Sequence, residues 1–106
     1  MSKRIYCLAV FAPKTGCEQE LFELFMQLEP LALREDGCIR YRVTREINAA
    51  PNTKYSIAFH EEWASIEAFE EHSRQSYITE FFGEYAGEVP TSLIDDFSVR
   101  IFSDVI

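Results

Sequence analysis

A chain of 106 residues that is 47% hydrophobic has enough apolar matter for one packed domain and too little for two. Eighteen acidic against ten basic residues leave a net charge of −8, which argues against nucleic-acid partners, because affinity for phosphates comes largely from Lys and Arg. No stretch reaches the roughly 20 apolar residues that a membrane helix needs, and the apolar run that ends at Pro13 lacks a small-residue cleavage pattern, so neither a membrane span nor a leader is expected.

Residues Arg4 to Ala12 read as a strand, with Ile5, Cys7, Ala9 and Phe11 on one face and Tyr6, Leu8 and Val10 on the other. Apolar residues on both faces mark a central strand covered from two sides. Pro13 to Gly16 breaks it, and Thr15 followed by Glu18 has the spacing of a capping box for the next helix. That helix carries an apolar stripe of Leu21, Leu24 or Phe25, Leu28, and Leu31 or Ala32. Pro30 predicts a kink or an end, and Gly37 closes the turn that follows.

A second strand, Cys38 to Glu46, alternates: Ile39, Tyr41 and Val43 point one way, Arg40, Arg42 and Thr44 the other. Asn48 to Thr53 is a polar turn into a third strand, antiparallel to the second, whose Tyr55, Ile57, Phe59, Glu61 and Trp63 share a face. Four of these five are large and apolar, which leaves Glu61 as a carboxylate placed among aromatics. It either pairs with Arg40 or Arg42 across the hairpin or is half-buried, in which case burial raises its pKa toward that of a useful acid or base. His60, on the opposite parity, is expected to be exposed or at a dimer contact.

From Ser65, a good N-cap, the period changes to about 3.6, and Ala68, Phe69 and His72 fall on one face of a helix. A further helix reads from Gln75 through Tyr77 or Ile78, Phe81 or Phe82, and Tyr85. Gly83, Gly87 and Pro90 mark a loop, and the last strand, Leu93 to Phe102, puts Leu93, Phe97, Val99 and Ile101 on its apolar face. Glu67, Glu70, Glu71, Glu80 and Glu84 read as the solvated faces of the two helices. The order strand, helix, strand, strand, helix, helix, strand is that of an α+β unit of ferredoxin-like type, an antiparallel sheet with helices on one face, in a single domain over residues 1–106. Helices on one face leave the other bare. The doubly apolar first strand then calls for a second copy as cover, with Tyr6, Leu8 and Val10 toward the partner.

Cys7, Cys17 and Cys38 are an odd number without CxxC or Cys/His metal spacing, so neither a disulfide framework nor a zinc site is expected, and a reducing cytoplasm fits. There is no Gly-rich phosphate loop, no nucleophile elbow and no HExxH. Nine Phe, five Tyr and one Trp supply either a dense core or a pocket for a flat ligand. His72 is either a helix-face histidine bonded to a backbone carbonyl or, within such a pocket, a general base; Trp63 is either core or stacks on a planar substrate while its indole N–H donates to a substrate oxygen. Tyr41, Tyr55, Phe59, Tyr77 and Phe81 are core or pocket lining.

Three pieces, AVFAPKTG at the first strand and turn, REDGCIRYRV at the second strand, and FHEEWASIEAFEEH with Glu61, Trp63 and His72, together resemble the antibiotic biosynthesis monooxygenase family. The resemblance implies a dimeric α+β barrel and a small oxygenase that acts on a quinol or other phenolic aromatic without metal or flavin cofactor. The alternatives it leaves are a non-catalytic ligand-binding or regulatory dimer of the same fold, and an isomerase of a sugar-like signal molecule. Haem-degrading relatives use an Asn on the first strand, which Arg4 to Ala12 lacks. Many other members carry a second histidine five residues after the first, where this chain has Tyr77.

Overall fold

The computed structural model describes residues 3–47 and 53–106. The elements are β1 (Ile5–Pro13), α1 (Glu18–Ala32), β2 (Cys38–Arg45), β3 (Ile57–Trp63), α2 (Ile66–Ser73), α3 (Ser76–Tyr85) and β4 (Ile94–Ser103). The strands form one antiparallel sheet in the order β2-β3-β1-β4, the ferredoxin-like α+β arrangement expected from the element order.

The two faces of β1 separate as the alternation predicts. Ile5, Cys7, Ala9 and Phe11 are buried, while Tyr6, Leu8 and Val10 are half-buried. Phe11 is the hub of an aromatic core, its ring 4.6 Å from Phe25, 5.7 Å from Phe97 and 6.1 Å from both Phe59 and Phe82. The open choices along α1 resolve to Leu21, Phe25, Leu28 and Ala32, one helical stripe against the sheet, and Leu31 is exposed.

Several local expectations are corrected. The capping box does not form: Gly16 at φ +81° makes a left-handed turn, so the helix starts after Cys17, which makes no side-chain cap. Glu18 turns instead to Ser56, whose hydroxyl donates to it over 2.7 Å, and to Arg45 at 3.5 Å. α1 runs past Pro30 and ends two residues later, its last turn closed by Leu33 N–H to the Glu29 carbonyl.

In β2 the register shifts between Cys38 and Arg40, so Cys38 rather than Ile39 continues the inner row, and Ile39 is exposed. The expected turn at Asn48–Thr53 lies, except for Thr53, outside the described residues. β3 begins at Ile57, so Tyr55 is not on the strand. Gly83 lies inside α3 rather than in the loop after it.

β4 holds a further departure. Phe97, Val99 and Ile101 stand opposite Phe11, Ala9 and Cys7 and therefore on the helix side. Yet they remain 42%, 47% and 46% exposed, because β4 is an edge strand that the helices do not cover.

Candidate active site

β3 ends in the sequence that builds the site. Its inner row of Ile57, Phe59, Glu61 and Trp63 is buried throughout, and the chain then turns at Ala64, whose N–H is held by the Gly37 carbonyl at 2.8 Å. Ser65, with extended backbone, accepts from the Ala68 N–H at 3.1 Å and starts α2 as expected. Seven residues on from the cap, about two helical turns, His72 faces the sheet and is 5% exposed.

Between sheet and helices lies a cavity of about 320 Å³, at the lower end of the range that takes small organic ligands. Its floor is Cys7, Ala9 and Phe11 of β1, Tyr41 of β2, and Phe59 and Glu61 of β3. Its walls come from Phe25 and Leu28 of α1, Phe69, His72 and Ser73 of α2, and Ile78 and Phe82 of α3, with Phe97 and Val99 of β4 at the uncovered edge. The enclosure is almost wholly apolar, so its few polar groups act in poorly hydrated surroundings.

The structure thus brings four of the candidate residues, His72, Glu61, Tyr41 and Phe59, to one cavity. The other four do not line it. Trp63 is fully buried behind the wall, where its ring lies 4.5 Å from that of His72 and its indole N–H donates to Glu61 Oε1 at 3.0 Å. That N–H is therefore committed to a protein carboxyl rather than held out to a substrate. Phe81 is core, packed on Phe25 at 5.1 Å. Tyr55 is displaced from the site, with its hydroxyl on Asp96 at 2.5 Å, because the strand starts two residues after it. Tyr77 sits behind His72 and donates to Glu35.

Of the two readings of Glu61 the buried carboxylate holds, and its burial is nearly complete. Arg40 and Arg42 lie on the opposite sheet face, paired in register with Glu62 and His60, whereas Glu61 stands beside Cys7 and Tyr41. Burial pushes its carboxyl up to about 7, against the donated hydrogen bonds of Trp63 and Cys7. Burial and the neighbouring Glu61 charge push the Cys7 thiol and the Tyr41 phenol well above their usual values. Cys38 is pushed up to about 11 by burial and by Glu35. His60 is exposed on the helix-free face with Nε2 3.0 Å from Thr44 Oγ1.

The residue that sequence reasoning missed is Glu35. It lies in the REDG turn before β2, where a carboxylate reads as solvated, yet its side chain is only 10% exposed and its Oε2 lies 2.7 Å from His72 Nδ1. The two are 37 positions apart, and no local pattern in the sequence joins them. A carboxylate against Nδ1 selects the tautomer with its proton there and leaves the Nε2 lone pair free. Among the described residues Nε2 makes no hydrogen bond. Groups of three His, Cys, Asp or Glu side chains able to hold a metal ion do not occur among the described residues.

Comparison with known proteins agrees with this fold. The family model for antibiotic biosynthesis monooxygenases matches residues 4–84. A crystal structure of a Shewanella oneidensis protein is 28% identical, with 98% of this chain and 93% of that one covered and a TM-score of 0.79. A Pseudomonas aeruginosa protein, 16% identical over 100% of this chain and 98% of its own, superposes with a TM-score of 0.78. A dimeric Bacteroides fragilis protein of unknown function and ferredoxin-like fold, 9% identical with coverage of 95% and 96%, gives 0.73; at 16% and 9% identity these two likenesses show the fold alone. No curated protein matches the sequence.

Proposed function

The chain belongs to the antibiotic biosynthesis monooxygenase family, and from that premise we propose that it is a small monooxygenase acting on a quinol or other phenolic aromatic substrate. The observation that carries the reading is the His72 imidazole on an apolar cavity of about 320 Å³, its Nδ1 side held by Glu35. In this reading Nε2 takes the phenolic proton and Glu35 stabilises the imidazolium that results. The substrate anion is then the reductant of molecular oxygen: one oxygen atom enters the ring, the other leaves as water, and a quinol ends as a hydroxyquinone. Tyr41 and Phe59 supply flat contacts for the ring, and Glu61 offers the second proton-handling group. Trp63 supports both Glu61 and His72 from behind, and Tyr77 and Phe81 lie behind the wall.

The same proposal includes one domain over the 106 residues, a homodimer and a cytoplasmic setting. The dimer is supported by the half-buried Tyr6, Leu8 and Val10 on the helix-free sheet face and by the dimeric B. fragilis neighbour of the same fold. The reducing compartment is supported by three free thiols.

Aerobic incubation with a panel of menadiol-type quinols and anthrones, followed by an oxygen electrode, tests the activity. The expected result is uptake above the buffer blank with at least one member, lowered roughly 10²-fold or more in His72→Ala. That loss should shrink at high pH as the phenol ionises unaided. Uptake at the blank level with the whole panel overturns the oxygenase reading. Stoichiometric binding without turnover would replace it with a ligand-binding dimer, and turnover indifferent to oxygen with an isomerase.

A further inference from the structure

One oxygen atom, Oε2 of Glu35, accepts from two sides: from the Nδ1–H of His72 at 2.7 Å and from the hydroxyl of Tyr77. The helices break at Arg74 and Gln75, and this places Tyr77 on the first turn of α3, across from the loop that carries Glu35. Tyr77 does not line the cavity, so whatever it does to the chemistry it does through the carboxylate.

We propose that Tyr77 is a positioning residue of the site: by donating its hydroxyl to Glu35 it holds the carboxylate against His72 and limits how tightly the imidazole keeps a proton taken up at Nε2. The inference rests on the reading of His72 as the base. Two donors on one oxygen share its negative charge, so each weakens the pull on the other. A general base must release its proton to turn over, and a carboxylate shared with a second donor holds the imidazolium less firmly than one bound by His72 alone. Burial and the bond to Glu35 push the Tyr77 phenol far up, so it stays a donor across the working range. The other titratable groups around the pair are Cys38 and Tyr41 of β2, Glu61 of β3 and Cys7 of β1. Arg34 and Asp36, beside Glu35, are exposed, as are Glu71 and Arg74, which pair with each other. Tyr41 also senses Tyr77, and burial keeps both phenols neutral across the working range.

The test is nitrogen NMR of the two histidine rings across pH in the wild type, Tyr77→Phe, Glu35→Gln and the double variant, with His60 as internal control. In Tyr77→Phe the His72 ring should keep its second proton to a pH higher by roughly 0.5 to 1 than in the wild type, the size expected for losing part of a charge-assisted hydrogen bond. His60 should not move. In the Glu35→Gln background the same change should have almost no effect, since a neutral amide can still accept the hydroxyl but has no charge to share. Tyr77→Gln, which keeps an N–H donor, should lie closer to the wild type, and Tyr77→Leu, which has no donor, repeats the cycle if Tyr77→Phe does not fold. Unchanged protonation of His72 in Tyr77→Phe overturns the proposal, and so does a displacement that persists without the Glu35 carboxylate. The readout needs no turnover, so a silent oxygen electrode would remove the oxygenase reading and leave this coupling standing. If the electrode does respond, the acid limb of kcat/KM should move to higher pH in Tyr77→Phe, with a loss on the acid side that closes as pH rises.

Discussion

Glu61 and His72 share an indole, and the two ionisable groups differ in what the fold has given them. His72 has a charged partner in Glu35. Glu61 has only neutral donors, Trp63 Nε1–H and the Cys7 thiol, and burial dominates its behaviour. The sign of the consequence follows from linkage. Below the usual carboxylate value of 4.5 both folded and unfolded chains hold the proton; between 4.5 and about 7 the unfolded chain has released it and the folded one has not. Stability therefore falls as pH rises through that window, by about 3 kcal/mol at most for this one group. Glu61→Gln, whose amide oxygen can still accept from Trp63, lacks that dependence. Chemical denaturation from pH 5 to pH 8 should show the wild type losing stability relative to Glu61→Gln as pH rises, and a constant difference would mean that Glu61 is charged throughout. Parity along β3 made this carboxylate legible, because strand alternation is local and Phe59 and Trp63 flank it. Glu35 was not legible, since its partner lies in a helix three elements later. Tyr55 misled, because alternation cannot say where a strand begins.

Elements place the site through their junctions, and the one between α1 and β2 is packed closely against α2. Gly37 has φ +83°, and a Cβ built there would stand 2.7 Å from the Cβ of Ala68 on α2. No side-chain rotation relieves a contact between two Cβ atoms, so α2 would have to move, and with it His72 one turn further along. Gly16 has almost the same backbone, φ +81°, with nothing within 4 Å. The two glycines thus separate backbone strain from packing. Gly16→Ala should cost roughly 1–2 kcal/mol, the penalty of a left-handed alanine. Gly37→Ala should cost roughly 2–5 kcal/mol, with overpacking added, and should depress oxygen uptake in the molecules that remain folded. Equal destabilisation of the two, measured by urea unfolding, would show that α2 is not seated against Gly37. Element types and order were readable because apolar periodicity is strong in every segment, and Ser65 gave the start of α2 outright. Ends were less so: the left-handed Gly16 moved the start of α1 away from Thr15, and one extra residue in β2 turned Ile39 out of the row.

The whole sheet has one face under helices and one face without them, and the second decides how the molecule lives in solution. Tyr6, Leu8, Val10 and Ala58 form its half-buried centre, bordered by Arg40, Arg42 and His60 on one side and Arg100 and Phe102 on the other. Arg42, His60, Leu8 and Arg100 stand in one lateral row across the strands, so Leu8 is the apolar middle of a cationic belt. Burying three large apolar side chains is worth about 1.5 to 3 kcal/mol each when complete, and at most about a third of that remains to be gained by each copy. A second copy related by a twofold axis would meet this strip with its own, the self-complementary contact that such symmetry requires. Sedimentation at micromolar concentration should therefore give about twice the chain mass of 12.3 kDa. Leu8→Asp would bury a carboxylate in each half of that contact, and its desolvation costs several kcal/mol even beside Arg100, so it should give a monomer or insoluble chain. Leu8→Ala, which removes area without adding charge, should remain folded and dimerise more weakly, with a dissociation constant raised roughly tenfold or more for about 1.4 kcal/mol lost. A wild type that sediments as a folded monomer at that concentration would leave the helix-free face open to water and end the case for the dimer.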